Sequence, residues 1–461
     1  MGTRPAQAAS QARLAGTTRG SPGEGMAMPP KAMTMPTPMP TEEAELAELA
    51  RSFNLFDVPA DYLDAPEPWM RLLREHDPMH DNADGTVLLT RYHDVRRVWR
   101  DRSASVDKTE MFRAKFGQGP LLHHHTTSML FRDPPDHDRL RALVMPLFTP
   151  RSVARFSSFI EDLVARLLDE AAELGELDIV TDFARKVPVS LITRILGVPP
   201  EDGEMLRPLG LRVLFPLNPS VSREAIDAGN QAVVAFTEYM AERVRECRRR
   251  GIEGEPSSLV ETLVAAEAAG DQVSEDEMLH ICLLLFNGGH ETTTNMLSLG
   301  TLALLEHPDQ YALVAALSED ELPAAVDEIL RYVTPLQLQG RRTTKELDLP
   351  TGPLAPGTEV VLCQASANRD DRAFSDPDRL DLRRVPENPQ VAFGMGVHAC
   401  VGNQLARLEG SIIFTRLAQR FPELEMAGRP VFNENVRFRG LQTLPVRVGR
   451  PRERPHGETI S

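Results

Sequence analysis

The chain is short of lysine, cysteine and long apolar runs, and each shortage narrows what it can be. Lysine supplies only five of the 51 basic residues (Lys31, Lys108, Lys115, Lys186 and Lys345), and acids outnumber bases to leave a net charge of -16. Neutralising a phosphate backbone needs a basic surface, so no nucleic-acid partner is expected. The four cysteines, Cys247, Cys282, Cys363 and Cys400, are widely spaced with no CxxC pair. That pattern is neither a zinc pattern nor a disulfide framework, and it suits a reducing, cytoplasmic compartment. No run of about 20 apolar residues occurs, so no membrane span is expected.

What is present is enough apolar residue for a large core: 41% of 461 residues. Residues 1–41 are rich in Ala, Pro, Gly and Met with a single acid, Glu24. They are expected to form a disordered tail. Alternatives are a start codon placed too early, with Met26, Met28, Met33, Met35 or Met39 as candidates, and an organelle transit peptide. Residues 42–461 are expected to fold as one domain. Helical periodicity appears near 42–53, 66–76, 91–100, 135–148, 150–173, 182–196, 223–250, 256–268, 274–306, 308–316, 320–332 and 402–421. Ser274 and Glu277 have capping-box spacing, and the helix they open reaches about 50 Å before His307–Pro308 stops it. Strand-like segments are few: 87–90, 359–364 and 444–448. The fold class is therefore mainly α with small β-sheets, and residues 101–131 and 209–222 read as long irregular loops.

The most informative segment is Phe393-Gly394-Met395-Gly396-Val397-His398-Ala399-Cys400-Val401-Gly402. Glycines at 394 and 396 allow a tight loop and close approach of a flat ligand. A cysteine just before a helix has free N–H groups and a helix dipole aimed at its sulfur, which favour the thiolate. A thiolate binds iron and pushes electron density into it. The remaining three cysteines read as buried structural residues.

This segment resembles the haem-binding signature of the cytochromes P-450, F-G-x-G-x-H-x-C-x-G, at every specified position, and the resemblance extends over about residues 45–450. It implies a triangular-prism fold with haem b between the long central helix and the Cys-bearing one. Cys400 would be the axial iron ligand, with Phe393, Gly394, His398 and Gly402 beside the cofactor. Within the long helix, Asn287-Gly288-Gly289-His290-Glu291-Thr292-Thr293 resembles the family segment over the distal haem face. Adjacent glycines each cost roughly 1 kcal/mol in a helix interior. Gly289 is expected to border the cofactor, and Gly288 stands where the family more often has Ala. Glu291 and Thr292 match the acid–alcohol pair that delivers protons to dioxygen. His290 reads as structural.

The resemblance assigns His137 and Arg141, four apart on one helix face, to one haem propionate, and Arg341 to the other, with His398 assisting. Glu328 and Arg331 match the family's E-x-x-R pair and Arg379 its third member, a structural triad. The run His123-His124-His125 has no carboxylate or Cys at ligand spacing, so no metal is expected there.

The implied activity is a monooxygenase acting on a lipophilic small molecule, with hydroxylation or epoxidation as the outcome. No flavin or nicotinamide motif follows Arg450, so a ferredoxin with an NAD(P)H-dependent reductase is expected to supply electrons. Arg96, Arg97, Arg100, Arg102 and Arg139 are the candidate docking patch. A monomer is expected. The alternatives are a peroxide-driven haem–thiolate enzyme and a haem-based sensor. The pocket is expected from residues 104–129, 209–222, 283–292, 334–339 and 440–443, with Leu211, Val213, Leu214, Phe215, Leu284, Leu336 and Leu441 apolar and Gln337, Gln339 and Gln442 polar.

Overall fold

A computed structural model describes residues 37–452 except Gln272. The expected tail at 1–41 lies outside the described residues up to position 36. The long helix, Glu275–Glu306, runs through the middle of the largest apolar cluster, with Phe286, Leu297 and Leu304 buried along it. It starts on the expected capping box: the Glu277 N–H donates to Ser274 Oγ at 3.1 Å, and the Ser274 N–H to the Glu277 carboxylate at 3.0 Å. Packed against it are Lys186–Leu196, Gly203–Leu214, Leu322–Val333 and the expected Cys-bearing helix, Asn403–Arg420, which starts just after Cys400 rather than holding it. Among the described residues no helix is long and apolar enough to cross a membrane.

Five strands form the main sheet, in the order Met79–Asp81, Val87–Leu89, Glu359–Cys363, Leu338–Thr343, Ala104–Ser105. The first, second and third of the expected strands exist, the last as Pro445–Arg447 in a separate small sheet. Leu338–Thr343 was not legible as a strand; it pairs antiparallel with Glu359–Cys363 and sets Arg341 opposite Val360.

Both expected loop regions contain helices. Residues 101–131 hold Thr109–Phe116 and Pro120–Thr127, and 209–222 overlaps Gly203–Leu214. Gly203–Leu214 carries Pro208 and Gly210, which weaken a helix by propensity. Tertiary packing overrides them: a side chain at Gly210 would begin 2.3 Å from Asn287 Oδ1 of the long helix.

Glu409 on the helix Asn403–Arg420 is a liability within this core. It is 2% exposed, its Oε1 has no partner, and burial pushes its carboxyl up to about 8. The unfolded carboxyl titrates near 4.3, so across the window from about 4.3 to 8 the folded chain holds a proton that the unfolded chain releases. Stability contributed by this site therefore falls as pH rises through that window. Glu409→Gln should stabilise the protein by roughly 2–4 kcal/mol at pH 8 and far less at pH 5. Thermal unfolding of both proteins at the two pH values checks this; a difference that does not grow with pH would contradict it.

Candidate active site

The loop before the helix Asn403–Arg420 is shaped by its glycines. Gly394 and Gly396 have φ of 65° and 75°, backbone conformations that favour glycine. A side chain at Gly396 would begin 2.6 Å from the Trp99 carbonyl oxygen, so the loop abuts the end of the helix Tyr92–Arg100. The loop closes when the Cys400 N–H donates to the Phe393 carbonyl at 3.0 Å. The Arg407 guanidinium lies 4.8 Å from the Phe393 ring centroid.

Cys400 sits in a recess. Solvent reaches it, unlike the three buried cysteines, yet the protein around it is dense enough that burial pushes its thiol up. The Gly402 N–H and the charges of Arg141 and Arg407 oppose that shift and favour the thiolate.

Four basic side chains gather near this loop. Arg341 is 7% exposed, donates only to the Gly340 carbonyl, and is drawn down to about 10 by burial, with Asp133 opposing. Arg141, also lowered by burial, senses the Cys400 sulfur. Neither arginine makes an ion pair among the described residues. The His137 and His398 rings lie 4.1 Å apart. His398 Nε2 is buried without a partner, and burial, His137, Arg341 and Arg141 together pull the ring down to about 3. A buried cluster of donors short of acceptors fits a dianionic ligand and, beside a thiol, fits a metalloporphyrin with two carboxylates.

On the long helix, burial raises the Glu291 carboxyl, opposed by the Arg207 charge and a hydrogen bond from Asn295 Nδ2 at 3.1 Å. Thr292 Oγ1 donates to the Gly288 carbonyl at 3.0 Å. His290 is fully buried and bonds the Phe286 carbonyl at 2.7 Å, the structural role expected of it.

The expectation for Gly289 is corrected. A side chain there would begin 2.7 Å from Ile192 Cδ1, so Gly289 faces the helix Lys186–Leu196. Its neighbour Gly288 faces open space. Successive helical residues point about 100° apart, which puts the open face one position earlier.

The third member of the Glu328–Arg331 triad is also corrected. Glu328 pairs bidentately with Arg331 at 2.7 and 2.9 Å, and Arg384 Nε, not Arg379, reaches the same carboxylate at 3.0 Å. The Arg379 side chain is 66% exposed beside Asp381. Its backbone carbonyl accepts from Arg331 and Arg384, which turns the side chain outward.

Comparison with known proteins places this arrangement. The cytochrome P450 family model matches residues 79–316 and 321–443. The chain belongs to the cytochrome P450 family. Cytochrome P450 107B1 of Saccharopolyspora erythraea is 38% identical over 379 residues, 78% of this chain and 89% of the relative. Vitamin D(3) 25-hydroxylase of Pseudonocardia autotrophica is 36% identical, over 83% of this chain and 94% of its own. The crystal structure of P450BioI in complex with hexadec-9Z-enoic acid ligated acyl carrier protein superposes with a TM-score of 0.78 at 31% identity, covering 85% of this chain and all of that one. This P450 is thus an oxygen-incorporating oxidoreductase whose cofactor is haem b and whose cosubstrate is dioxygen.

Several residues around the P450 site had no signal in the sequence. Arg207 reaches Glu291 through tertiary contact alone, while Asn295 lies one turn further along the same helix, a spacing that the sequence did offer. A cavity of about 580 Å3 is walled partly by the expected segments (Phe112, Leu217, Leu338) and partly by Leu55, Phe56 and Arg437, which were not expected. Val213 is fully buried in the core, and Gln337 is tied to Thr334 and to the backbones of Arg437 and Gln364. Gln339 instead accepts from Trp99 Nε1 at 3.3 Å, beside Gly394.

Proposed function

We propose that this P450 is a ferredoxin-driven monooxygenase of a lipophilic small molecule that carries an acidic or carbonyl end. Haem b, when bound, supplies the oxygen chemistry. Cys400 would hold its iron through the thiolate, the form that the Gly402 N–H and the Arg141 and Arg407 charges favour against burial. Arg341, Arg141, His137 and His398 would hold the propionates, with Phe393 and Gly394 in the loop beneath.

The observation that carries the oxygenase reading is the acid–alcohol pair itself. Burial raises the Glu291 carboxyl, Asn295 Nδ2 donates to its Oε1, and Thr292 stands next to it on the helix. The Thr292 hydroxyl spends its own proton on the Gly288 carbonyl, which leaves its oxygen lone pairs free to accept. Glu291 is the proton donor and Thr292 the positioning hydroxyl at the open face beside Gly288.

We take the 580 Å3 cavity as the place of the substrate's far end, since its lining, among the described residues, includes no residue of the long helix or of the Cys400 loop. Its walls include Leu55, Phe56, Phe112, Phe131, Leu217 and Ile226, so an apolar body is favoured. Lys115 and Arg437 line the same cavity, drawn by burial down to about 8 and about 10, and Arg437 Nε has no partner. An acceptor on the substrate would restore what burial removes from these cations. P450BioI, a relative, was solved in complex with hexadec-9Z-enoic acid ligated acyl carrier protein, a long apolar chain on a carrier.

For the electron donor, Arg100 and Arg102 are exposed around the end of the helix that abuts the Cys400 loop, while Arg97, though exposed, is taken by Asp101 at 2.6 Å. Arg100 and Arg102 favour a small acidic ferredoxin. Arg139 leaves the expected patch, because Glu277 takes its guanidinium at 2.6 Å.

The test compares two ways of driving turnover. Thr292→Ala and Glu291→Gln should lower ferredoxin-driven product formation by about 10²-fold or more while NAD(P)H oxidation continues. Peroxide-driven turnover, which brings its own protons, should stay within about twofold. Equal losses by both routes would show that the pair is structural.

A further inference from the structure

The histidine run at 123–125 has no nearby ligand in sequence, but the fold brings one to it. The helix Pro120–Thr127 lies against the first turns of the long helix, where Asp276 and His280 are four residues apart and share a face. His123 Nε2 is 2.9 Å from the Asp276 carboxylate, and His280 Nε2 is 3.5 Å from it. One donor atom from each of the three lies within 4.8 Å of the others. Ligands on a tetrahedral zinc ion stand about 3.3 Å apart, so small side-chain adjustments would bring all three to one ion.

The neighbours of the cluster are arranged to serve it. Glu275 is taken by Arg248 at 2.6 Å, and Glu277 by Arg139 and Arg132, which leaves Asp276 as the acid that faces the histidines. His280 is 3% exposed, held between Asp276 and the buried His124. Its Nδ1 lies 3.1 Å from Nδ1 of the buried His124. When His280 donates there, its Nε2 lone pair points toward Asp276, the tautomer that a metal-bound imidazole needs.

We propose that His123, Asp276 and His280 form a binding site for a divalent transition-metal ion of the zinc class, stapling the helix Pro120–Thr127 to the long helix. Two imidazoles and one carboxylate select such an ion over calcium or magnesium. His123 and Asp276 are each more than half exposed, so a fourth position is open to water. The preceding helix, Thr109–Phe116, walls the 580 Å3 cavity through Met111 and Phe112. A bound ion would therefore restrain the rim of that cavity. The three side chains are none of those assigned to the haem or to dioxygen, so the proposal stands independently of the catalytic reading.

Chelator-dialysed holoenzyme titrated with zinc chloride by calorimetry tests it. The wild type should bind one zinc ion per chain with micromolar affinity, and His123→Ala, Asp276→Asn and His280→Gln should each weaken it by at least about tenfold. His123→Ala alters an exposed side chain and should unfold at the wild-type temperature in the absence of zinc. His93→Ala, on another exposed helix face, should bind as the wild type does. Zinc binding unchanged in all three variants would overturn the proposal. So would the absence of saturable binding below about 1 mM, which would leave the three side chains as a hydrogen-bonded cluster only.

Discussion

Glu328→Ala should prevent the protein from accumulating in folded form. Glu328 and Arg331 are 6% and 1% exposed. Arg331 also donates to the carbonyls of Asn368 at 2.9 Å, Pro377 at 2.7 Å and Arg379 at 3.1 Å. One carboxylate thus compensates two guanidinium groups that hold together the meander leading to the Cys400 loop. Removing it leaves a buried charge unpaired, at about 3–5 kcal/mol. Total stability of about 5–15 kcal/mol makes that loss decisive. Arg384→Ala spares the Glu328–Arg331 pair and should cost less. Arg379→Ala should change stability by less than about 0.5 kcal/mol, because its side chain makes only an exposed ion pair with Asp381 and its backbone carbonyl is kept. Soluble yield and thermal unfolding of the three variants check the order. An Arg379→Ala protein as damaged as Glu328→Ala would contradict the assignment of Arg384.

The Arg379 case marks how far the sequence could be read. Glu328 and Arg331 lie three apart on one helix, so their pairing is set locally. Their third partner comes from an irregular turn around Asp376, which has a φ of 46°, and no periodicity tells which arginine of such a turn points inward. The Gly288–Gly289 pair behaved similarly. Two glycines in a helix announce close packing or an open face, but which glycine serves which depends on Ile192 of another helix. Long helices with clear caps were legible nearly to the residue, as Ser274 and Glu277 show. Pro120–Thr127 was not, because its buried His124 and His125 hide the apolar stripe that a helix normally displays. The same disguise concealed Asp276 and His280, whose approach to His123 spans 153 residues of chain. Cys400, by contrast, was legible because loop, ligand and helix start fall within ten consecutive positions.

Everything catalytic in this account depends on that one sulfur. The alternatives are poor: burial pushes the thiols of Cys282 and Cys363 up to about 12 and about 11, and raises Cys247 as well. Cys363 has backbone N–H donors and Arg74 nearby, and Cys247 has Arg248 and Arg250, but all three are buried, whereas solvent reaches Cys400 in a recess flanked by the Gly402 N–H, Arg141 and Arg407. Replacing Cys400 also spares the loop, since the bond that closes it runs from the backbone N–H of residue 400 to the Phe393 carbonyl. The deciding measurement is the absorption spectrum of the dithionite-reduced protein with and without carbon monoxide, for wild type, Cys400→Ala and Cys363→Ala. The wild type and Cys363→Ala should show the strongly red-shifted Soret band of a thiolate-bound haem, and Cys400→Ala should lose it entirely. A protein that purifies without haem from haem-replete cells, or a Soret band unchanged by Cys400→Ala, would contradict the account.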